Sequence, residues 1–122
     1  MLLWIALGGA AGSVLRYLIG GALQKMSAAP FPVGTFLVNV SGCFLIGIFA
    51  QHYMNTQTHP HMRALLITGF CGGYTTFSAF SLETVGLFEG GEYAKAAAYI
   101  LLSMSLSVAA TFAGIAAARA TT

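Results

Sequence analysis

Four long apolar stretches constrain the fold of this chain more than any other feature. They cover residues 2–22, 33–53, 63–88 and 94–118, and each is long enough to cross the bilayer core as a helix, which takes about 20 apolar residues. Polar turns with proline, lysine, asparagine or glutamate separate them. We therefore predict an all-α membrane protein in which residues 1–122 form a single four-helix transmembrane domain.

The scarcity of charge excludes most other kinds of protein. Charged residues make up 7% of the chain, against about 25% in soluble domains. No stretch outside the apolar segments is long enough for a soluble domain, so an enzyme with a water-facing site is not expected. The dispersed net charge of +2 does not suggest a nucleic-acid surface. Segment 2–22 lacks a basic start and contains Arg16, so we interpret it as a retained helix rather than a signal peptide.

The basic residues that flank the segments are nearly balanced between the two sides of the membrane. Arg63 and Arg119 would lie on one side, and Lys25 and Lys95 on the other, with Arg16 inside the nearby half of the first helix. Lysine and arginine near helix ends set orientation, so this balance favours dual topology, in which both orientations insert. The alternative is a single orientation that length and hydrophobicity fix despite the weak bias.

The small size of the chain favours function between two copies. Four helices with little polar surface make a poor wall for a water-filled path, so we expect an antiparallel homodimer with its functional site at the interface. Gly8 and Gly12 form a small-xxx-small pair that would permit close contact between the copies. Helix four offers further small residues at Ala109, Ala110, Ala113, Gly114 and Ala117.

The third segment carries a helix-breaking pattern near its centre. Gly72 and Gly73 precede the β-branched pair Thr75 and Thr76, at roughly half the bilayer thickness from Arg63. This pattern predicts a break near the midplane, where freed carbonyl groups must face protein or an ion rather than lipid. Such oxygen ligands suit a small hard cation. The alternative is an unbroken helix in which the glycines form a packing notch.

Polar and aromatic side chains within the spans are candidates for a functional role, because polar groups are costly in hydrocarbon. Asn39 shares a face of helix two with Thr35 and Gly42, and we favour a pore or ligand role for it over a helix–helix hydrogen bond. Phe77 and Phe80 share a face of helix three. Their ring edges carry partial positive charge and can approach a small anion, although paired phenylalanines more often pack or face lipid.

Helix four carries hydroxyl groups at four-residue spacing, on Tyr99, Ser103 and Ser107. Serines in membrane helices often bond to their own backbone, but together these hydroxyls form a track that can replace water around an anion. Two charged residues remain open. Glu83 is either interfacial or a proton or cation site, and Arg16 either snorkels toward the headgroups or attracts anions.

Three segments carry motifs that resemble one known family. Residues 8–17 read GGAAGSVLRY, residues 34–42 read GTFLVNVSG, and residues 69–81 read GFCGGYTTFSAFS. In this order, and over four spans of matching length, they resemble the Fluc (CrcB) family of fluoride channels. The third segment is highly specific for it. One departure is Ala79, where the family usually has threonine; it removes a hydroxyl group between the two phenylalanines, so conduction rate or anion affinity could differ.

The resemblance implies an antiparallel homodimer in the inner (cytoplasmic) membrane of a bacterium or similar microbe, with two fluoride pathways at the dimer interface. It implies passive, highly selective export that lowers intracellular fluoride. Hydrogen fluoride crosses membranes and dissociates in the less acidic cytoplasm, and such a channel would release the trapped anion. The implied partners are a second copy of the chain, fluoride and the lipid bilayer, with no nucleic acid.

The resemblance also implies roles for individual residues. A structural sodium ion on the dimer axis would be held by the main-chain carbonyls of Gly72 and Thr75. The family's pore aromatics match Phe77 and Phe80, and its pore asparagine matches Asn39. Pore-lining positions are matched less firmly by Ser78, Tyr99, Ser103 and Ser107. The resemblance assigns no role to Arg16, Thr35, Thr76 and Glu83.

Two other functions compete with a fluoride channel. A small dual-topology proton-coupled multidrug exporter also has four helices, but an acidic residue is expected deep in its first helix. Here helix one has Arg16 and no carboxylate, and the only membrane acid, Glu83, lies late in helix three. An accessory subunit without transport activity explains the composition but not the polar residues. Fluoride is strongly hydrated and needs donors in a narrow path, which Asn39, the hydroxyls and the ring edges can supply.

Overall fold

The computed structural model describes residues 1–28, 30–53 and 59–121, and every regular element in these ranges is helical. Four helical spans are long and apolar enough to cross a membrane, and the third of them is interrupted. The predicted all-α architecture with a broken third helix is therefore confirmed. The elements are α1 (Leu2–Met26), α2 (Val33–Tyr53), α3 (residues 60–74), α4 (Phe77–Glu89) and α5 (Tyr93–Ala120).

The third span changes its helical type before it breaks. α3 consists of a short α-helical start (Pro60–Arg63), a π-helical stretch (Ala64–Cys71) and one further α-turn (Gly72–Tyr74). Thr75 and Thr76 are then extended, with φ/ψ of −83°/155° and −149°/118°. β-branched residues suit extended backbone, so the chain breaks at the threonines, while the glycine pair before them stays helical.

The helix ends differ modestly from the predicted boundaries. α1 continues to Met26 instead of ending near residue 22, and the chain leaves the helix at Ser27, which is extended at φ −92° and ψ 128°. Gln24 and Lys25 therefore lie in the last turn of α1 rather than in the connection. A cation is stabilised there because the last carbonyls of a helix carry partial negative charge.

Glycines bring α1 and α3 into backbone contact. A Cβ atom on Gly8 would overlap the carbonyl oxygen of Leu65, and one on Gly12 would overlap that of Phe70. From the other side, Gly73 faces the backbone of α1. The expectation that Gly8 and Gly12 contact a second copy is corrected, because both are buried against the third span of the same chain. Gly69 is packed against the backbone of α1 in the same way as Gly73, whereas a Cβ atom on Gly72 would meet nothing closer than 4.0 Å.

α2 and α5 are packed in the same way. Gly47 of α2 and Gly114 of α5 are both buried, and a Cβ atom on either would overlap a backbone carbonyl of the facing helix. Gly114 therefore also serves packing within the chain rather than between copies. The exposed side of α5 carries other apolar residues, namely Leu101, Met104, Val108, Ala109, Phe112, Ala113 and Ala117.

Candidate ion pathway

The Asn39 side chain forms hydrogen bonds to the extended backbone at the break in the third span. Its Oδ1 accepts a hydrogen bond from the backbone amide of Thr76 (2.8 Å), and its Nδ2 donates to the carbonyl oxygen of the same residue (3.0 Å). These two bonds satisfy a backbone unit that no longer belongs to a helix. The inter-helix hydrogen bond that was the lesser alternative for Asn39 is thus present, and the same side chain also lines a cavity beside the break.

At the break, two backbone amides bind side-chain oxygens instead of the carbonyl groups that they would bind in a helix. In an unbroken helix the amides of Thr76 and Ala79 would bind the carbonyls four residues earlier, those of Gly72 and Thr75. Here the Thr76 amide donates to Asn39, and the Ala79 amide donates to Thr76 Oγ1 (3.1 Å). The two carbonyl oxygens predicted as cation ligands have therefore lost their helical donors.

Carbonyl oxygens are the donors that could hold a cation at this break. Among the described residues, no group of three or more His, Cys, Asp or Glu side chains is placed to hold a metal ion. Neutral carbonyl oxygens are hard ligands that suit hard cations. The chemistry of the Gly72 and Thr75 carbonyls fits the predicted sodium ion.

A cavity of about 290 Å³ lies beside the break, between α2, α4 and α5. Asn39, Thr76, Phe77, Phe80, Ser103 and Ser107, all singled out from the sequence, line it together. The sequence analysis missed Cys43, Met104 and Val108 in the same wall. Cys43 follows Asn39 by one helical turn, so its position on that face was readable from the spacing. The other two are apolar residues in an apolar helix, and nothing in the sequence distinguishes them.

Aromatic rings form a continuous series from the cavity toward Glu83. The rings of Phe77 and Phe80 are 5.5 Å apart between centroids and tilted by 54°, and the rings of Phe80 and Tyr99 are 5.0 Å apart. Phe77 is 78% exposed, whereas Tyr99 is fully buried. A tilted pair presents ring edges as well as faces, so partial positive charge can point into the cavity from two successive rings.

The expected hydroxyl track on the fourth span is only partly continuous. Ser103 and Ser107 line the cavity, and Ser103 is 7% exposed, with an Oγ that has no hydrogen-bond partner among the described residues. A buried hydroxyl left without a partner costs about 1–3 kcal/mol, so this group is suited to receive an ion or water. Ser78 is exposed, lies outside the cavity wall, and pairs with Thr76 Oγ1 at 3.3 Å.

Tyr99 belongs to a different cluster from the two serines. Its hydroxyl donates to Glu83 Oε2 (2.8 Å), and the Thr35 hydroxyl donates to Glu83 Oε1 (2.7 Å). Glu83 also lines a second cavity of about 350 Å³, with Gln24 and Phe31 in its wall. Thr35, Glu83 and Tyr99, whose connection the sequence did not suggest, thus form one hydrogen-bonded group beyond Phe80.

Arg16 contacts the end of α3. Its Nε donates to the carbonyl oxygen of Gly73 (3.1 Å). Because the last carbonyls of a helix carry partial negative charge, this contact stabilises the helix end at the break. The two alternatives stated for Arg16 were headgroup contact and anion attraction. The hydrogen bond to Gly73 is neither of these.

Gln24 makes two further polar contacts that the sequence analysis missed. Its Nε2 donates to the carbonyl oxygen of Phe31, and its Oε1 accepts from the amide of Gly34, both at 3.0 Å. The ring of Phe31 lies 5.4 Å from that of Tyr99. Gln24 therefore holds the connection between α1 and α2 beside the second cavity.

Comparison with known protein families decides the classification. The family model described as CrcB-like protein, Camphor Resistance (CrcB), matches residues 3–115. The chain belongs to the CrcB family. The matched range covers nearly all of the first three spans and most of the fourth, and this family member is a multi-pass protein of the cytoplasmic membrane.

Relatives in this family are similar over almost their whole length. A protein of Rhizobium etli named fluoride-specific ion channel FluC is 51% identical over 119 residues, which cover 97% of this chain and 95% of the relative. One of the same name from Rhizobium meliloti (strain 1021) is 50% identical over 120 residues, covering 98% and 96%. Another from Sulfurovum sp. (strain NBC37-1) is 46% identical over 115 residues, covering 94% and 90%.

Proposed function

We propose that this chain is a fluoride-selective ion channel that passively exports fluoride across the cytoplasmic membrane and so lowers its intracellular concentration. Membership of the CrcB family and the three relatives named fluoride-specific ion channel support this function. The observation that carries it is the cavity that Ser103 lines together with the two phenylalanines, because the buried hydroxyl of Ser103 lacks a partner among the described residues.

The cavity wall offers the donors that a dehydrated fluoride needs. The Asn39 Nδ2 group has two hydrogens, and only one is needed for its bond to the Thr76 carbonyl. The other hydrogen, the Ser103 hydroxyl and the ring edges of Phe77 and Phe80 provide partial positive charge without a full cation. Partial replacement of the hydration shell by such groups lets an ion enter without being trapped.

The exposed side of the cavity supports an antiparallel homodimer. Phe77 is 78% exposed and Met104 is 61% exposed, although both line the cavity. Lipid cannot complete the wall of an ion path, because hydrocarbon offers no compensation for a charge. A second copy can, and the near balance of flanking lysines and arginines favours one that is inserted in the opposite orientation.

A structural sodium ion would fit between the two copies. The carbonyl oxygens of Gly72 and Thr75 would be this chain's ligands to the ion, because both oxygens have lost their helical hydrogen-bond donors at the break. Two copies related by a two-fold axis would bring both pairs of oxygens together. The ion would supply positive charge that keeps the extended threonines in place.

Replacing the aromatic pair tests this function. Purified protein is reconstituted into vesicles loaded with fluoride, and efflux is followed with a fluoride electrode. We expect Phe77→Ile and Phe80→Ile to slow efflux by about 100-fold or more, equivalent to about 2.7 kcal/mol of barrier, because isoleucine has no ring edge. Size-exclusion chromatography checks that both variants still form dimers. Efflux at the wild-type rate from both variants would contradict the proposed path, and wild-type efflux that requires a proton gradient would favour a proton-coupled exporter.

A further inference from the structure

All three histidines of the chain lie at one end of the four spans. His52 is in the last turn of α2, His59 directly precedes α3, and His61 is the second residue of α3. Arg63 of α3 and Arg119, in the last turn of α5, lie at the same end. We call these five residues the basic end. We propose that the basic end binds the headgroups of anionic phospholipids, and that it binds them more tightly as the pH falls.

Ring contacts hold two of these histidines against the first two spans. The imidazole of His61 meets the ring of Trp4 in α1 at 5.4 Å between centroids and an interplanar angle of 63°. The imidazole of His59 meets the ring of Tyr53 at the end of α2, at 6.4 Å and 71°. Both histidines are exposed. The two imidazoles therefore have defined positions at the surface, on either side of Pro60.

The basic end has no acidic side chain in the sequence. The chain has three acidic residues, and all of them follow the break and lie toward the other end, namely Glu83, Glu89 and Glu92. At that end Lys95 is 3.5 Å from Glu92, and two lysines balance Glu89 and Glu92. At the basic end the two arginines give a charge of +2, and three protonated histidines would raise it to +5. The charge of the basic end is thus complementary to an anionic headgroup.

Trp4 indicates that the partner is a lipid rather than a soluble anion. Tryptophan is enriched where a membrane protein meets the headgroup region, because its ring is apolar and its N–H is polar. Trp4 is 38% exposed, and the exposed His61 lies beside it. This surface offers an apolar ring to acyl chains and an imidazole to a phosphate. A soluble anion could use only the second of these groups.

The histidines make the binding depend on pH. Histidine gains a positive charge as the pH falls from about 8 to about 5. A protonated imidazole donates from both nitrogens, and charge-assisted bonds to phosphate are the stronger ones. The rings of Trp4 and Tyr53 that meet the histidines are uncharged, and the other ionised side chains of this end are basic. A lower pH therefore adds charge of one sign, while Arg63 and Arg119 supply a part that does not change.

The fluorescence of Trp4 can report on this surface, because it is the only tryptophan of the chain. The full chain is reconstituted into phosphatidylcholine bilayers that contain either brominated phosphatidylglycerol or brominated phosphatidylcholine. Bromine quenches a tryptophan that it contacts. Bilayers without bromine, measured at each pH, correct for a direct effect of His61 on Trp4. The ratio of the two quenching constants gives the preference for the anionic headgroup.

We expect a preference for phosphatidylglycerol of about threefold at about pH 8 and about tenfold or more at about pH 5.5. The double variant His59→Gln, His61→Gln should stay near the weaker preference at both pH values. The double variant His59→Arg, His61→Arg should show the stronger preference at both. Lys25→Gln, at the other end of the spans, is the matched control and should behave as the wild type. Size-exclusion chromatography checks that each variant keeps its native elution.

Three results would overturn the proposal. Equal quenching by the two lipids at the lower pH would exclude an anionic lipid site at the basic end. A preference that does not change with pH, or a change that persists when both histidines are glutamine, would exclude the histidines. Soluble glycerol phosphate at constant ionic strength should leave the quenching unchanged, and displacement of the brominated lipid by it would assign the site to free phosphate esters. None of these measurements involves fluoride.

Discussion

Replacing Asn39 with leucine should destabilise the break in the third span in addition to slowing fluoride efflux. The Asn39 side chain makes two hydrogen bonds to the backbone of Thr76, at 2.8 Å and 3.0 Å. Leucine has a similar volume but can make neither. A buried polar group left unsatisfied costs about 1–3 kcal/mol, which gives about 2–6 kcal/mol for the amide and the carbonyl. Because both bonds are only partly buried, we expect a loss of about 2–3 kcal/mol.

Ser41→Ala is the matched control on the same helix. The Ser41 hydroxyl pairs with the hydroxyl of Tyr74 at 3.0 Å, so it also joins α2 to the third span, but it does not contact the extended threonines. We expect the substitution to cost about 1 kcal/mol and to leave fluoride efflux close to that of the wild type.

Thermal unfolding in detergent, followed by the loss of the native size-exclusion peak, measures stability on the preparations used for efflux. At roughly 4 °C per kcal/mol for a chain of this size, Asn39→Leu should lower the Tm by roughly 8–12 °C. An unchanged Tm with slow efflux would show that Asn39 acts on the ion alone, and the reasoning about the break would be wrong. An unchanged Tm with normal efflux would refute both roles.

Two further substitutions test the helix packing and the carboxylate cluster. Gly12→Ala should cost about 1–3 kcal/mol, because its Cβ would overlap the Phe70 carbonyl oxygen, whereas Gly21→Ala, with nothing within 4 Å, should stabilise by about 0.5–1 kcal/mol; equal Tm values for the two variants would contradict the backbone contact. Tyr99→Phe removes the hydroxyl donor to Glu83 Oε2, at the end of the ring series that begins at the cavity. Because we expect fluoride to follow these rings, the substitution should slow fluoride efflux about tenfold, equivalent to about 1.4 kcal/mol. Efflux at the wild-type rate would exclude the group of Thr35, Glu83 and Tyr99 from the pathway.

The spans could be predicted from the sequence because membrane-crossing helices need long apolar stretches, and these are visible without any tertiary information. The break was also predictable from the same pattern, but the sequence did not show whether the glycines or the threonines would leave the helix. Glycines at residues 72 and 73 permit both a kink and close packing; Gly73 packs against the backbone of α1, while Gly72 stays helical without a close neighbour in α1. Thr75 and Thr76, whose branched side chains suit extended backbone, make the break instead.

The sequence indicated which residue types form the candidate site but not all of their partners. A small-xxx-small pair such as Gly8 and Gly12 shows that a helix approaches closely, but it does not show whether the approaching helix belongs to the same chain. Tyr99 and Ser103 share a helix face by spacing, yet long side chains lean toward the N-terminus of their helix, and the Tyr99 hydroxyl reaches Glu83 instead of the cavity. Such contacts depend on the tertiary arrangement, which periodicity does not contain.

Anion selectivity of the unaltered protein tests the central claim most directly. Vesicles containing the purified chain are loaded with equal concentrations of fluoride and chloride, without a proton gradient, and the release of each anion is followed with its own electrode. The hydroxyl, amide and ring-edge donors around Ser103 and Phe80 predict rapid fluoride release with chloride retained. Release of both anions at similar rates, or retention of both, would contradict the account.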